Sequence, residues 1–257
     1  MTLLIDVGNS AVKWARLAAD GSMSVGGRAL HRGGLDVAAA LAEAWSAAPV
    51  PRRVVGCSVA NAAVVAAVER AARAAGVAEV EWMRSQAAFR GEVALVNGYL
   101  DPQQLGADRW HALLGACARL PGTSLVVVNA GTATTVDCVR AGDGNPRFVG
   151  GCIAPGVRLM LDSLARGTAG LPLATGAPAD FPDTTDKAIV TGVLDAQAGL
   201  VERVRDRFSA SIGHAPRLLF AGGHAELLAA RLPGEPAPLI EHNLVLRGLA
   251  LRAAVPR

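Results

Sequence analysis

A strand–turn–strand pattern that occurs twice limits the fold of this chain more than any other feature. In the first copy, an apolar run at residues 3–7 leads into the polar turn Gly8-Asn9-Ser10, and a second apolar run at 11–17 leaves it. A similar pattern, Val-Val-Val-Asn-Ala-Gly-Thr-Ala-Thr-Thr-Val-Asp, returns around residue 129. A repeat offset by about half the chain indicates an internal duplication.

The first turn carries groups that suit a phosphate. Asp6 ends a strand expected to be buried on both faces, and Gly8 lets the backbone approach a ligand closely. Lys13, one of only two lysines in a chain rich in arginine, adds a cation on the returning strand. A carboxylate, backbone N–H groups and an ammonium around one bend can hold a metal-bound polyphosphate. Because Asn129 and Thr132 repeat the pattern, we expect a nucleotide in a cleft between two halves.

The predicted element order supports this organisation. Residues 1–121 indicate β-β-β-α-β-α-β, the order of a ribonuclease-H-like half-domain, and the same order follows in residues 122–257, which end in a helix at 243–254. We therefore predict an α/β protein of two duplicated ribonuclease-H-like domains, each a mixed five-stranded sheet flanked by helices. Residues 84–103 lack periodicity and are predicted to be a functional loop, and 150–156 a glycine-rich loop.

Composition excludes several classes of function. The net charge of +3 comes without a run of basic residues, so no nucleic-acid partner is expected. Neither lysine follows a Walker-type loop, which excludes a P-loop enzyme. The four cysteines are far apart and the five histidines show no metal-ligand spacing, so none receives a role. No apolar run approaches the roughly 18 residues of a membrane span and no signal peptide is recognisable, so we expect a cytoplasmic protein without a membrane partner.

A second group of residues points to acid–base chemistry. Asp108 and Arg109 are adjacent near the start of a predicted helix, after the loop that holds the only tyrosine, Tyr99. An exposed ion pair on a first helical turn is the simpler interpretation. Gly106 and the tyrosine-bearing loop favour a pocket, with Asp108 as the candidate base. Two further features stay open: Gly222-Gly223 suits either a ligand or close packing, and Thr185 either a helix cap or a ligand contact.

Taken together, these motifs resemble the type III pantothenate kinases, members of the acetate and sugar kinase/Hsc70/actin superfamily. The resemblance covers nearly the whole chain and is most specific at Tyr99 and residues 105–109. It also includes, in the order of the family, residues 6–13, 129–137, 150–156, 184–189 and 221–223.

The resemblance implies ATP-dependent phosphorylation of pantothenate to 4'-phosphopantothenate, the first step toward coenzyme A, by a homodimer that uses magnesium and potassium or ammonium. Asp108 would be the proton acceptor, and Asp6 would hold magnesium indirectly. The implied ATP contacts are Asp6, Val7, Gly8, Asn9, Ser10, Ala11, Val12, Lys13 and Thr132. The implied pantothenate contacts are Tyr99, Gly106, Ala107, Asp108, Arg109 and Thr185.

One position departs from the family pattern. Family members commonly have aspartate where this chain has Asn129, which offers the monovalent cation a carbonyl oxygen but no charge. Two alternatives remain at this point. One is a kinase of the same superfamily that acts on a sugar or small acid, and the other is an accessory protein that keeps the nucleotide cleft without catalysis.

Overall fold

The computed structural model describes residues 1–31, 37–46, 50–77, 79–142, 144–232, 234 and 236–255. The chain forms two compact units. The first unit is Met1–Pro121 together with Leu244–Arg257, and the second unit is Gly122–Asn243. The sequence analysis placed residues 122–257 in one domain, and the terminal segment departs from that expectation because its helix packs in the first unit.

The first unit is an α/β layer structure. Its strands are β1 (Thr2–Val7), β2 (Ala11–Leu17), β3 (Met23–Leu30), β4 (Arg53–Ser58), β5 (Val80–Trp82), β6 (Ala88–Arg90) and β7 (Ala94–Asn97). Its first three helices are α1 (Val37–Ser46), α2 (Ala62–Ala74) and α3 (Ala107–Arg119), with a 3-10 turn at Pro102–Gln104.

The order of the sheet is β3-β2-β1-β4-β5, so β1 is the central strand. β1 pairs antiparallel with β2 and parallel with β4, which makes the sheet mixed. Strand β1 is buried from Leu3 to Val7, because helices cover both faces of the sheet. Leu3, Ile5 and Val7 contact α1 and α2, whereas Leu4 lies on the opposite face.

The second unit repeats this topology. Its elements are β8 (Leu125–Ala130), β9 (Ala133–Arg140), β10 (Arg147–Pro155), α4 (Val157–Gly167), α5 (Thr185–Ile212), β11 (Arg217–Ala221), α6 (Ala225–Ala229) and β12 (Leu239–Ile240). The strands follow the order β12-β11-β8-β9-β10, with β11 parallel to β8 and to β12, and β9 antiparallel to β8 and β10. Read from its other edge, this is the order and the strand polarity of the first sheet. One apolar core joins this sheet to α4, α5 and α6.

The last helix, α7 (Leu244–Ala254), covers the second face of the first sheet. Its Leu246 and Leu249 pack with Leu4 and Val55. α7 also crosses α3 closely, because Gly248 faces the His111 carbonyl and Gly115 the Leu244 carbonyl, leaving no room for a Cβ. The end of α7 is fixed by Arg53, which donates to the Ala253 carbonyl (2.7 Å) and pairs with Glu81. These contacts hold α3, and thus the segment that carries Asp108, against the sheet.

Two predicted loops contain strands. The segment 84–103 includes the hairpin of β6 and β7, in which Phe89 and Leu95 are buried opposite each other. This hairpin was missed because three- and four-residue strands give too short an alternation to recognise. The glycine-rich stretch 150–156 is mostly the end of β10, which pairs with β9 up to Pro155; a bulge next to Gly150, whose φ is +133°, admits the glycines into the strand.

Among the described helices, none combines the length and the apolar character that crossing a bilayer requires. The four cysteines, Cys57, Cys117, Cys138 and Cys152, are free thiols.

Candidate active site

Asp6 lies on the central strand of the first unit, next to the turn that the sequence singled out. The strand register places Lys13 of β2 on one side of Asp6 and Cys57 of β4 on the other. Only 9% of Asp6 is exposed. Burial raises the pKa of Asp6 to about 7, Lys13 opposes this shift, and the charge of Asp108 adds to it. Burial therefore dominates, and an added cation would favour the ionised carboxylate.

The turn after Asp6 is held by backbone and side-chain bonds. The Gly8 N–H donates to the Ala11 carbonyl (3.0 Å) and closes the bend. On the outer side of the turn, the Nε2 atom of His31 donates to the Gly8 carbonyl (2.9 Å), and the His31 N–H donates to the Ser10 carbonyl (3.0 Å). Two of the three carbonyls of the turn, those of Gly8 and Ser10, thus bond to one residue.

Asp108 lies in the first turn of α3. Its Oδ1 accepts a hydrogen bond from the Arg109 N–H (2.8 Å). A Cβ at the helix cap Gly106 would lie 2.6 Å from that same oxygen, so glycine is needed there to leave the carboxylate in place. Burial raises the pKa of Asp108, and the Arg109 N–H and guanidinium partly offset this shift. A raised pKa makes this carboxylate a better proton acceptor.

Arg109 and Tyr99 form the polar side of the same site. Arg109 is 5% exposed, and its Nη1 donates to the Tyr99 hydroxyl (3.1 Å), with the guanidinium carbon 5.8 Å from the ring centre. The sequence left open whether Arg109 contacts a substrate or braces Asp108. The structure shows the Tyr99 contact and an electrostatic effect on Asp108, since the guanidinium lowers the pKa of that carboxyl.

Hydrogen bonds within the loop fix Tyr99 and the start of α3. The Asn97 side chain donates to the Gln86 and Pro102 carbonyls and accepts from the Tyr99 N–H (3.1 Å). Ser85 donates to the Leu105 carbonyl (2.6 Å) just before the cap of α3. The loop is thus an ordered support for the site.

The charges of both carboxyls, Asp6 and Asp108, affect the thiol of Cys57. Burial raises the pKa of the Cys57 thiol well above its usual range, and the charges of Asp6 and Asp108 raise it further. Asp6, Cys57 and Asp108 therefore lie close together, the first two buried and Asp108 partly buried. The thiol stays protonated in this environment and is not a nucleophile.

The second unit contains the counterpart of the first turn. Gly131 and Thr132 join β8 to β9, and the Gly131 N–H donates to the Ala133 carbonyl (3.1 Å). Gly156 packs on this turn: its N–H donates to the Thr132 carbonyl (3.0 Å), and a Cβ there would lie 2.6 Å from the same oxygen. The second turn is one residue shorter than the first, so Thr135 rather than a lysine lies opposite Asn129.

Two other predicted contacts also belong to the second unit. Gly222, with φ of +99°, lies against the backbone of Ala130, so close packing accounts for this glycine. Thr184 caps α5 by accepting a hydrogen bond from the Lys187 N–H (3.3 Å), and Thr185 is the first helical residue. Thr185 is exposed and lines a cavity of about 480 Å³ together with Met160, Leu164, Leu171, Ala188, Ile189, Gly192 and Val193.

The predicted site residues are divided between the two units. The first unit contains Asp6, Lys13, Tyr99, Asp108 and Arg109, and the second contains Asn129, Thr132 and Thr185. Within the described part of the chain, no three His, Cys, Asp or Glu side chains group as a metal site.

Sequence reasoning gave no role to His31 or to the neighbourhood of Cys57. The pairing of β2 with β3 places Leu30 opposite Ala11, so the residue after β3, His31, lies opposite Ser10 in the turn. That register could have identified His31. The position of Cys57 beside Asp6 depends on the parallel pairing of β4, which no local pattern specifies.

Comparisons with known proteins agree with this architecture. A family model described as "Type III pantothenate kinase" matches residues 2–207. A type III pantothenate kinase of Laribacter hongkongensis is 41% identical over 254 residues, which cover 97% of each chain. One from Aromatoleum aromaticum is 44% identical over 255 residues, covering 98% of each chain.

The fold of this chain is also similar to those of solved structures. A Campylobacter jejuni protein assigned to the Baf family of transcriptional activators has a TM-score of 0.56 and 20% identity, over 96% of this chain and 94% of its own. A Sinorhizobium meliloti protein assigned as a 2-dehydro-3-deoxygalactonokinase has a TM-score of 0.56 and 16% identity, with both chains fully covered. These likenesses show the fold alone, and they confirm the predicted class of two duplicated ribonuclease-H-like domains. The two mixed sheets have five and seven strands, whereas five were predicted for each.

Proposed function

Because the chain belongs to the type III pantothenate kinase family, we propose that it transfers the γ-phosphoryl group of ATP to the primary hydroxyl of pantothenate. The products are 4'-phosphopantothenate and ADP, and the reaction is the first step toward coenzyme A. The observation that carries the assignment of roles is the pair of carboxyls, the buried Asp6 and the partly buried Asp108, whose charges interact beside Arg109 and Tyr99.

Asp108 is the general base in this proposal. Its carboxylate accepts the proton of the pantothenate hydroxyl as the oxygen bonds to the γ-phosphorus and the bond to the ADP oxygen breaks. The raised pKa of Asp108 supports the role, because a base is most effective when its pKa lies near the working pH. The Arg109 N–H orients the carboxylate through its bond to Oδ1.

Pantothenate is an anion, and the buried Arg109 is the cation that suits its carboxylate. The Tyr99 hydroxyl accepts from Nη1 of Arg109 and so helps to orient the guanidinium. Gly106 and Ala107 line the start of α3 next to Asp108, and Thr185 completes the proposed set of pantothenate contacts.

ATP is proposed to bind at residues 6–13 and at Thr132. The backbone N–H groups of the first turn and the ammonium of Lys13 suit the β- and γ-phosphates. The hydroxyl of Thr132, in the equivalent turn of the second unit, offers a further donor. Transfer of a phosphoryl group requires mainly positioning and neutralisation of charge, and these groups supply both.

Magnesium fits the donor set of Asp6. This ion usually takes one or two carboxylates and completes its coordination with water and substrate phosphates, so a single protein carboxylate is sufficient. When bound, it neutralises charge on the phosphates. Asp6 would hold it indirectly, and the cation would favour the ionised form of a carboxyl whose pKa is raised to about 7.

The proposed monovalent cation, potassium or ammonium, has a weaker donor set. Asn129 supplies a neutral amide oxygen, and Thr135 lies opposite it across the strands. Without a carboxylate, we propose that activation by potassium is weak in this protein.

Assembly as a homodimer and action in the cytoplasm complete the proposal. The exposed apolar side chains of Val149 and Ile153 on β10 suit an interface between copies of the chain. The free cysteines suit a reducing compartment.

The test is ADP release in the presence of ATP, magnesium and a panel of acceptors: pantothenate, a hexose, a small hydroxy acid and no acceptor. The proposal predicts release that depends on pantothenate, with a product heavier by one phosphoryl group in mass spectrometry. Release with the hexose but not with pantothenate would assign the chain to another kinase activity. No release with any acceptor, despite ATP binding, would indicate an accessory protein.

A further inference from the structure

His31 has an unusual relation to the phosphate-binding turn of the first unit. It follows the last residue of β3, is 6% exposed, and bonds the turn twice. Its Nε2–H donates to the Gly8 carbonyl (2.9 Å) and its backbone N–H to the Ser10 carbonyl (3.0 Å). Because a carbonyl can only accept, Nε2 must carry the proton in this arrangement.

These two bonds fix two peptide planes. In a trans peptide, the C=O of one residue and the N–H of the next point in opposite directions. With the Gly8 carbonyl held by the His31 ring, the Asn9 N–H points away from that ring. With the Ser10 carbonyl held by the His31 backbone, the Ala11 N–H likewise points away from β3. His31 therefore directs two backbone donors of the turn toward the side opposite itself.

We propose that His31 is a positioning residue that presents the Asn9 and Ala11 N–H groups to the phosphates of ATP. The inference rests on the proposed use of residues 6–13 as the ATP site. The conformation of Gly8 explains why a bond from the His31 ring is needed. Glycine is free to rotate, and its N–H bond to the Ala11 carbonyl leaves its own carbonyl unrestrained without the imidazole.

The role of the ring is separable from that of the backbone. The amide nitrogen of glutamine lies where Nε2 of histidine does, whereas that of asparagine corresponds to Nδ1 and falls short of the Gly8 carbonyl. Methionine is of similar size but has no donor. Three variants, His31→Gln, His31→Asn and His31→Met, keep the backbone bond to Ser10. They differ in whether the side chain can donate to the Gly8 carbonyl.

The experiment measures Mg-ATP affinity by calorimetry and the KM values for ATP and pantothenate. Losing one donor to a partly buried carbonyl should weaken ATP binding and raise its KM roughly 10-fold in His31→Met and His31→Asn. His31→Gln should remain within about threefold of the wild type. The KM for pantothenate should not change. His214→Met is the matched control, because that exposed histidine also bonds a carbonyl, that of Ile212, and should leave ATP affinity intact.

Equal ATP affinities in the folded Gln and Asn variants would overturn the inference, and this pair decides the matter if the methionine variant does not fold. A loss of thermal stability with unchanged ATP affinity would assign His31 a structural role only and also overturn it. If the wild type itself shows no pantothenate-dependent ADP release, the proposed function fails. If it does and the variants bind ATP as well as the wild type, only the role of His31 fails.

Discussion

The Asp108 carboxylate raises the pKa of Asp6, although the two side chains belong to α3 and β1 and are about a hundred positions apart in the chain. Both carboxyls have raised pKa values, chiefly through burial. Keeping two such groups together destabilises the fold at neutral pH. A bound cation and a substrate hydroxyl would interact with the two carboxylates during the reaction and offset this cost.

Replacing Asp6 with asparagine should stabilise the ligand-free protein at neutral pH. Unfolded Asp6 loses its proton near pH 4, whereas folded Asp6 keeps it until about pH 7, so the wild type loses stability as pH rises through this window. Relative to Asp6→Asn, the loss between pH 5 and pH 8 should be about 3 kcal/mol. Urea unfolding at both pH values measures this loss of stability.

Asp206→Asn removes an exposed carboxylate of α5 and serves as the control for Asp6→Asn. A pH-independent difference between wild type and Asp6→Asn would contradict the burial of a protonated carboxyl.

His111 should give folding stability the opposite dependence on pH, with a loss as the pH falls. Burial lowers the pKa of His111 to about 4, and its Nδ1 bonds the Ala107 carbonyl (2.6 Å). The unfolded histidine takes up a proton below about pH 6.5, so the wild type loses stability as pH falls from there toward 4. His111→Asn keeps a donor near Nδ1 but does not titrate, and the wild type should lose roughly 3 kcal/mol relative to it between pH 7 and pH 4. Urea unfolding across this range tests the effect, with the exposed His214→Asn as control. Parallel stability curves for wild type and His111→Asn would refute it.

Tyr99→Phe should impair pantothenate binding and spare ATP binding. The change removes the hydroxyl that accepts from Arg109 Nη1 and leaves a buried cation with one partner fewer. The KM for pantothenate should rise roughly 3- to 10-fold, while the KM for ATP stays constant. Steady-state kinetics with each substrate varied in turn, extended to Arg109→Lys and the double variant, measures the coupling of the two side chains. Additive effects of the two changes would show that their contact does not matter for binding.

Asn129→Asp should increase activation by potassium. The substitution restores a carboxylate next to the second turn, where the natural chain has a neutral amide. We expect kcat/KM of the variant to rise with KCl when choline chloride keeps ionic strength constant, and that of the wild type to rise less. Asn145→Asp, which adds a charge at an exposed position before β10, should behave as the wild type. A wild type that depends on potassium as strongly as Asn129→Asp would contradict the reading of this site.

The sequence was sufficient for the features that depend on local patterns. The paired hairpins were recognisable because apolar runs surround glycine-containing turns, and β2 was predicted with its observed bounds, Ala11–Leu17. A threonine cap near Thr185 was recognisable for the same reason, although the structure shows that the capping residue is Thr184.

Features that depend on long-range pairing were not predictable. α7 belongs to the first unit because Gly115 and Gly248 allow a close helix crossing, and no local pattern shows which helix will accept it. The cluster of Asp6, Cys57 and Asp108 arises from the parallel pairing of β4 and the placement of α3. Motif reasoning identified two of its members as site residues, and only the fold identified the third.

The most direct test of the account is pantothenate-dependent ADP release by the wild type and Asp108→Asn, measured side by side with Mg-ATP affinity. The amide cannot accept the hydroxyl proton, so turnover should fall by roughly 10²–10⁴-fold. Mg-ATP affinity and cooperative unfolding should be preserved, and Asp206→Asn should match the wild type throughout. Near-normal turnover in a folded Asp108→Asn variant would contradict the account, because the proton would then leave the hydroxyl without this carboxylate.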